Sequence, residues 1–167
     1  MRRMLAGAGV VMIALAATSC SRKAVVESGP AAGSGEATAR GTVRRLGSEG
    51  SVRTVVQGDR TVVVVGDYEP ELARVAGAEV WVSGTSADSP YGPALTVAEY
   101  RILSVDGEVP VVGILTEDEQ GFFIKMDDGG IVRIDVGDRL ATQLGAKIWA
   151  ILGRDQVTVV RYGILRD

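Results

Sequence analysis

The chain repeats itself around its only two tryptophans. "GAEVWVSG" runs from Gly77 to Gly84 and "GAKIWAILG" from Gly145 to Gly153. Other landmarks recur in the same order. "VGD" at Val65–Asp67 matches Val136–Asp138, and "LARVAGAEVWV" at Leu72–Val82 matches "LATQLGAKIWA" at Leu140–Ala150. "TVAEYRIL" at Thr96–Leu103 matches "TVVRYGIL" at Thr158–Leu165. With Gly50 matching Gly121, four ordered blocks mark an internal duplication, so each half is expected to fold into the same small unit.

Valine-rich runs, with 22 glycines between and within them, favour strands over long helices. The spacing predicts strands over Gly41–Leu46, Ser51–Gln57 and Thr61–Val65, matched by Val111–Thr116, Phe122–Met126 and Ile131–Val136. Short helical turns follow over Glu69–Val75 and Arg139–Leu144. Gly77 and Gly145 close them, as helix C-termini prefer. The fourth strand carries the tryptophan and the fifth ends in Tyr-x-Ile-Leu.

Three strands, a short helix and two strands is the order of an OB-fold-like small barrel. The pattern resembles the OB-like repeats of exported bacterial proteins. The fold expected is all-β with short helical turns, as two tandem OB-fold-like five-stranded barrels over residues 41–105 and 109–167. SH3-like barrels or a single β-sandwich are the alternatives. A barrel of about 60 residues has little core for its surface, so the halves should pack on each other. In "IVRIDV" the charges of Arg133 and Asp135 share one face. The aligned "TVVVV" puts Val62 and Val64 at those places, which predicts a second apolar face needing cover from the other half or a partner.

The first twenty residues read as an export signal. Arg2 and Arg3 precede the uncharged run Leu5–Ala17, which has signal h-region length and is shorter than the about 20 residues of a membrane span. "ATSC" then ends at Cys20, the only cysteine. It resembles the lipobox of bacterial lipoproteins, although Ala17 stands where that family usually has leucine. The resemblance implies acylation of Cys20, and Ser21 after it implies sorting to the outer membrane, facing the periplasm. Residues 21–40, rich in Ala, Gly and Ser, read as a flexible linker with a reach of about 25 Å.

With Arg2 and Arg3 removed from the 18 basic residues, 16 remain against 21 acidic ones. That balance and a periplasmic address both argue against a nucleic-acid partner. Histidine is absent, which removes the commonest general base and metal ligand and rules out Ser-His-Asp and Cys-His sites within the chain. No cofactor or metal site is expected. Glu117, Asp118 and Glu119 are consecutive acids of a solvated loop. In the aligned loop, Arg44 and Arg45 carry the opposite sign and suit a pairing between halves.

The expected role is therefore a non-catalytic module that binds an envelope protein, held at the membrane by its N-terminal lipid. Capture of a small ligand, a saccharide or peptidoglycan fragment, is the alternative. The insertion "SGTSADSPYGPA", Ser83–Ala94, faces only "LGRDQ" in the second half. Tyr91 within it is the best single candidate for contact. Trp81 and Trp149 are expected as core or core-lid residues, with ligand stacking as their second possibility. Oligomeric state is not legible.

Overall fold

A computed structural model describes residues 35–48 and 50–167. The export signal with Cys20, and residues 21–34 of the expected linker, lie outside the described residues. The described residues are all-β, with ten strands in two five-stranded sheets and two single-turn helices.

The first sheet is built from β1 (Glu36–Leu46), β2 (Arg53–Gln57), β3 (Thr61–Val65), β4 (Glu79–Ser89) and β5 (Gly92–Ser104). β1 pairs antiparallel with β2 and with β4, β2 with β3, and β4 with β5. β3 and β5 run parallel, with Val63, Val64 and Val65 beside Ala94, Leu95 and Thr96. The pairings thus close into a ring. The second sheet uses β6 (Val111–Asp118), β7 (Gly121–Lys125), β8 (Ile131–Arg133), β9 (Lys147–Leu152) and β10 (Val159–Arg166). Its order is β10-β9-β6-β7-β8. Counted within each half, that is fifth, fourth, first, second, third: the order of the first sheet, except that the ring stays open. Only one parallel bridge, Asp135 to Thr158, spans the gap.

The repeated Gly-Ala has a shared task. After α1 (Glu69–Ala73) and α2 (Asp138–Ala141) the chain passes through Gly77 (φ +100°) and Gly145 (φ +85°), a left-handed turn that side chains resist. The Gly77 and Gly145 amides donate to the carbonyls of Val43 and Leu115, both at 2.8–2.9 Å. The Val43 and Leu115 amides donate back to Ala78 and Ala146 at 2.9 and 3.0 Å. The fourth strand is thereby stitched to the first in identical register. Alternation then sends Val80 and Val82, or Ile148 and Ala150, into the core. Equivalent positions fill both cores: Val43 and Leu115, Val56 and Ile124, Leu72 and Leu140.

Three expectations need correction. β1 begins at Glu36, so the last five residues of the expected linker are strand. Ala37 and Ala39 pair with Gly84 and Val82 and pack on the first core. The Ser83–Ala94 insertion is a two-stranded arm, since β4 and β5 pair out to Ser89 and Gly92. The charged strand was aligned one residue out. Val62 lies opposite Val56 as Val132 lies opposite Ile124. Val62 and Val64 therefore correspond to Val132 and Ile134, and the residue standing where Arg133 does is Val63. A one-residue slip exchanges the faces of a strand. The second apolar face is real but consists of Val55, Val63 and Ala94. It packs with Val65 and with Ala87 of the first half's own arm.

The two halves do pack together. Leu165 of β10 is 1% exposed and belongs to the first core, with Val112 and Trp149 against it. Arg74 of α1 donates to the Leu165 carbonyl at 3.1 Å. The expected pairing of Arg44 and Arg45 with the acidic loop does not occur among the described residues. Asp118 is held instead by Arg133, at 2.6 and 2.7 Å.

Candidate functional site

Alternation on β4 and β9 turns both tryptophans away from their own cores, and their neighbours then part them. Trp149 lies between Val112 of β6 and Gly163 of β10. A Cβ on Gly163 would stand 2.5 Å from the indole nitrogen, so the ring lies flat on that glycine. The same ring packs on the first core. Its Nε1–H is buried with no hydrogen-bond partner. Trp81 lies between Arg40 of β1 and Arg101 of β5, with the Arg101 guanidinium 5.5 Å from its ring centroid. It remains half-buried on the outer face of the first sheet, among Arg40, Glu79 and Glu99. Neither ring is a core residue of its own half. Both rings are half-buried: Trp149 packs at the seam, and Trp81 lies among charged side chains on the outer face.

The seam holds a buried polar cluster that sequence reasoning missed. Glu71 of α1 is enclosed. It accepts from the Tyr100 hydroxyl and faces Lys147 Nζ at 3.5 Å and Arg166 Nη1 at 3.4 Å. Lys147 also lies 4.9 Å from the Tyr100 ring centroid. Burial, and then the bond to Glu71, hold the Tyr100 phenol well above its ordinary range. Three basic or phenolic groups on one carboxylate is how an interior compensates a charge. The cluster joins the halves and offers no free group for chemistry. Its charged members are unlike at matched positions, Glu71 standing where Arg139 does, and although Tyr100 matches Tyr162 the repeat itself could not reveal the cluster.

Beside the cluster a cleft of about 470 Å³ opens, lined by Arg74, Val105, Asp106, Trp149, Arg161 and Tyr162. Its cations are already engaged. Arg161 bonds Asp106 and Glu108 of the segment between the halves, and Arg74 approaches Asp167 at 3.6 Å. Among the described residues no three acidic, cysteine or histidine side chains converge as a metal site would require.

Tyr91 sits at the tip of the β4–β5 arm and is 58% exposed. The Arg53 guanidinium stacks on its ring at 3.1 Å from the centroid, and its amide donates to Ser89 Oγ at 3.2 Å. The aromatic is thus both exposed and held. Glu36 pairs with Thr85, so the chain enters the sheet alongside this arm. Of the three aromatic candidates, the structure brings none together with another. The exposure of Tyr91 agrees with its place in a long insertion with proline on both sides. No protein-family model, curated protein or solved structure matches this chain.

Proposed function

We propose that the protein is a non-catalytic binding and assembly module of the bacterial envelope, exported by its N-terminal signal and anchored by acylation of Cys20. In this reading each half is an OB-type barrel descended from one duplicated unit, and the first extends back to Glu36. The shared strand order and the matched Gly-Ala stitching support it. The first half is sealed and the second holds one bridge of the same closure. In OB-folds the connection between strands four and five frames the ligand face. Here that connection is the arm carrying Tyr91.

The observation that carries the reading is the stacked, exposed Tyr91 on that arm. An aromatic pre-set by a guanidinium loses little side-chain freedom on docking, which favours a partner protein at the tip. The absence of histidine from the sequence argues in the same direction. A photo-crosslinker at Tyr91 in cells should trap one discrete partner. A smear matching that from a distant surface position would refute the docking site. Labelling with a fatty-acid analogue, lost in Cys20→Ala, tests the anchor; a label that persists in Cys20→Ala would reject it.

A second reading has an observation of its own. Trp81 remains at the surface, with arginine, glutamate, serine and threonine around it on a sheet face. Such a face suits a saccharide, whose apolar side lies on a ring while its hydroxyls bond neighbours. Titration with peptidoglycan fragments should shift the emission of the wild type and not of Trp81→Phe. An unchanged spectrum would remove this reading.

A further inference from the structure

We infer that the first half docks its partner protein through an extended acidic segment of that partner. Two carboxylates two residues apart are received by Arg44 and Arg53, and an apolar side chain beside them meets Leu46 and Tyr91. This rests on Tyr91 as the docking residue and adds what the partner must carry. Register sets the face. Across β1 and β2, Arg44 lies opposite Val55 and Leu46 opposite Arg53. Val43 and Val56 enter the core, so alternation puts these four residues on the outside. Arg45, opposite Thr54, belongs to the other face. The Arg53 guanidinium stacks on the Tyr91 ring. One outer surface therefore carries Arg44, Leu46, Arg53 and Tyr91 above a packed floor of Val55, Val63 and Ala94.

Charge decides what this surface receives. Arg40, Arg74, Arg101, Arg133, Arg161 and Arg166 each meet a carboxylate of this chain. Arg44 and Arg53 meet none among the described residues, although the chain has 21 acidic residues against 18 basic ones. The carboxylate next along the face, Glu79 opposite Thr42, is held by Arg40 at 2.8 and 3.0 Å. Glu49 of the intervening turn lies outside the described residues. Arg60, Arg139 and Arg154 also lack a carboxylate contact, but each stands singly with an aspartate as its chain neighbour. The acidic turn expected to meet Arg44 keeps its Asp118 on Arg133.

The Tyr91 ring fixes the plane of the Arg53 guanidinium and leaves its N–H groups at the rim, where one donates to Ser51 Oγ at 3.1 Å. A fork held this way takes a carboxylate side-on and loses little freedom in doing so. Arg44 is its diagonal neighbour, about 7–8 Å away along the sheet. Alternate residues of an extended segment lie about 7 Å apart, so acid-x-acid spans both. Leu46 and Tyr91, 47% and 58% exposed, offer apolar surface at the same place. An anionic membrane fits less well. Lipid-binding clusters gather about four to eight basic residues, whereas this face has two, on a chain of net charge −3.

Photo-crosslinkers at Tyr91 and at Leu46 of the full chain, in cells, should trap the same protein. Mass spectrometry of the Leu46 product should find Asp or Glu two residues apart in the trapped segment. Arg44→Glu leaves the Arg53–Tyr91 stack in place and should lower the Tyr91 crosslink by about tenfold or more. Arg44→Lys keeps the charge and should lower it far less. Circular dichroism verifies that both variants stay folded. A smear at Tyr91 removes the docking site and this inference with it. A discrete Tyr91 partner whose yield is unchanged in folded Arg44→Glu, or whose trapped segment lacks paired acids, overturns this inference alone and leaves the docking site standing. Phospholipid in place of peptide in the Leu46 product would assign the face to the membrane and overturn it. A product joining Leu46 to the Glu117–Glu119 turn of a second copy would do the same in favour of self-association.

Discussion

Two tryptophans at the same place in the same repeat have opposite surroundings. Trp149 is flanked by valine and glycine and serves as the seam between the halves. Trp81 is flanked by two arginines and lies half-buried on the outer face of the first sheet. The sheets differ in a parallel way: a long fourth-to-fifth arm seals the first, and a short connection leaves the second open. The repeat therefore keeps core positions and turn geometry while the outer faces diverge. What a residue does on an outer face depends on its cross-strand neighbours.

The largest test of this contrast removes the rings one at a time. Trp149→Ala should lower the unfolding free energy by about 3 kcal/mol, in line with large-to-small changes at packed sites. Trp81→Ala should cost about 1 kcal/mol or less, as surface changes do. Equal losses in denaturant titrations would mean that both rings are structural. Next comes Glu71→Gln, which leaves the enclosed Lys147 facing the exposed Asp127 carboxylate, 3.6 Å away, in place of the buried one. Removing one partner of a buried pair costs about 3 kcal/mol, and the wetter surroundings here bring the expectation nearer 2. The matched Arg139→Gln should be almost silent in the same denaturant titrations.

Gly163→Ala sharpens the comparison further. The added methyl collides with the Trp149 indole and should cost about 1–2 kcal/mol by overpacking. At the matched position Arg101→Ala should change stability by less than about 0.5 kcal/mol. The smallest effect is in pH. In the short Gly153–Thr158 connection, the Thr158 hydroxyl and then the Val157 and Thr158 amides bond Asp155 and pull its carboxyl down to about 2. A folded value below the unfolded value of about 4 contributes stability that is complete above pH 4 and lost as pH falls toward 2. The NMR titration of Asp155 should have its midpoint near 2, and Asp155→Asn should remove that part of the acid dependence. A midpoint near 4 would show that the connection is not held as described.

Much of the architecture was legible because it depends on short-range physics. Alternating valines, the Gly-Ala exit from each helical turn and the turn glycines act within a few residues, and they placed the strands and both helical turns. The arm was visible as an insertion, but its two-stranded form was not. That form depends on Asp88 pairing with Pro93 and Ser89 with Gly92 across the turn. Aligning the charged strand failed by one residue because sequence matching has no access to the cross-strand partner that sets register. The exposure of Tyr91 could be read from its flanking prolines. The opening of the second sheet follows from the unequal lengths of "SGTSADSPYGPA" and "LGRDQ", because the longer connection is what closes the first.

Sequence alone determined the β character and the repeated blocks around the two tryptophans, since each is written in contiguous residues. Tertiary structure decided which sheet closes, which tryptophan is covered, and that Glu71 of one half would meet Lys147 and Arg166 of the other. Those outcomes rest on contacts between residues far apart in the chain. Closure turns on how far a hairpin reaches, and burial on what stands opposite a ring. A local pattern carries neither quantity.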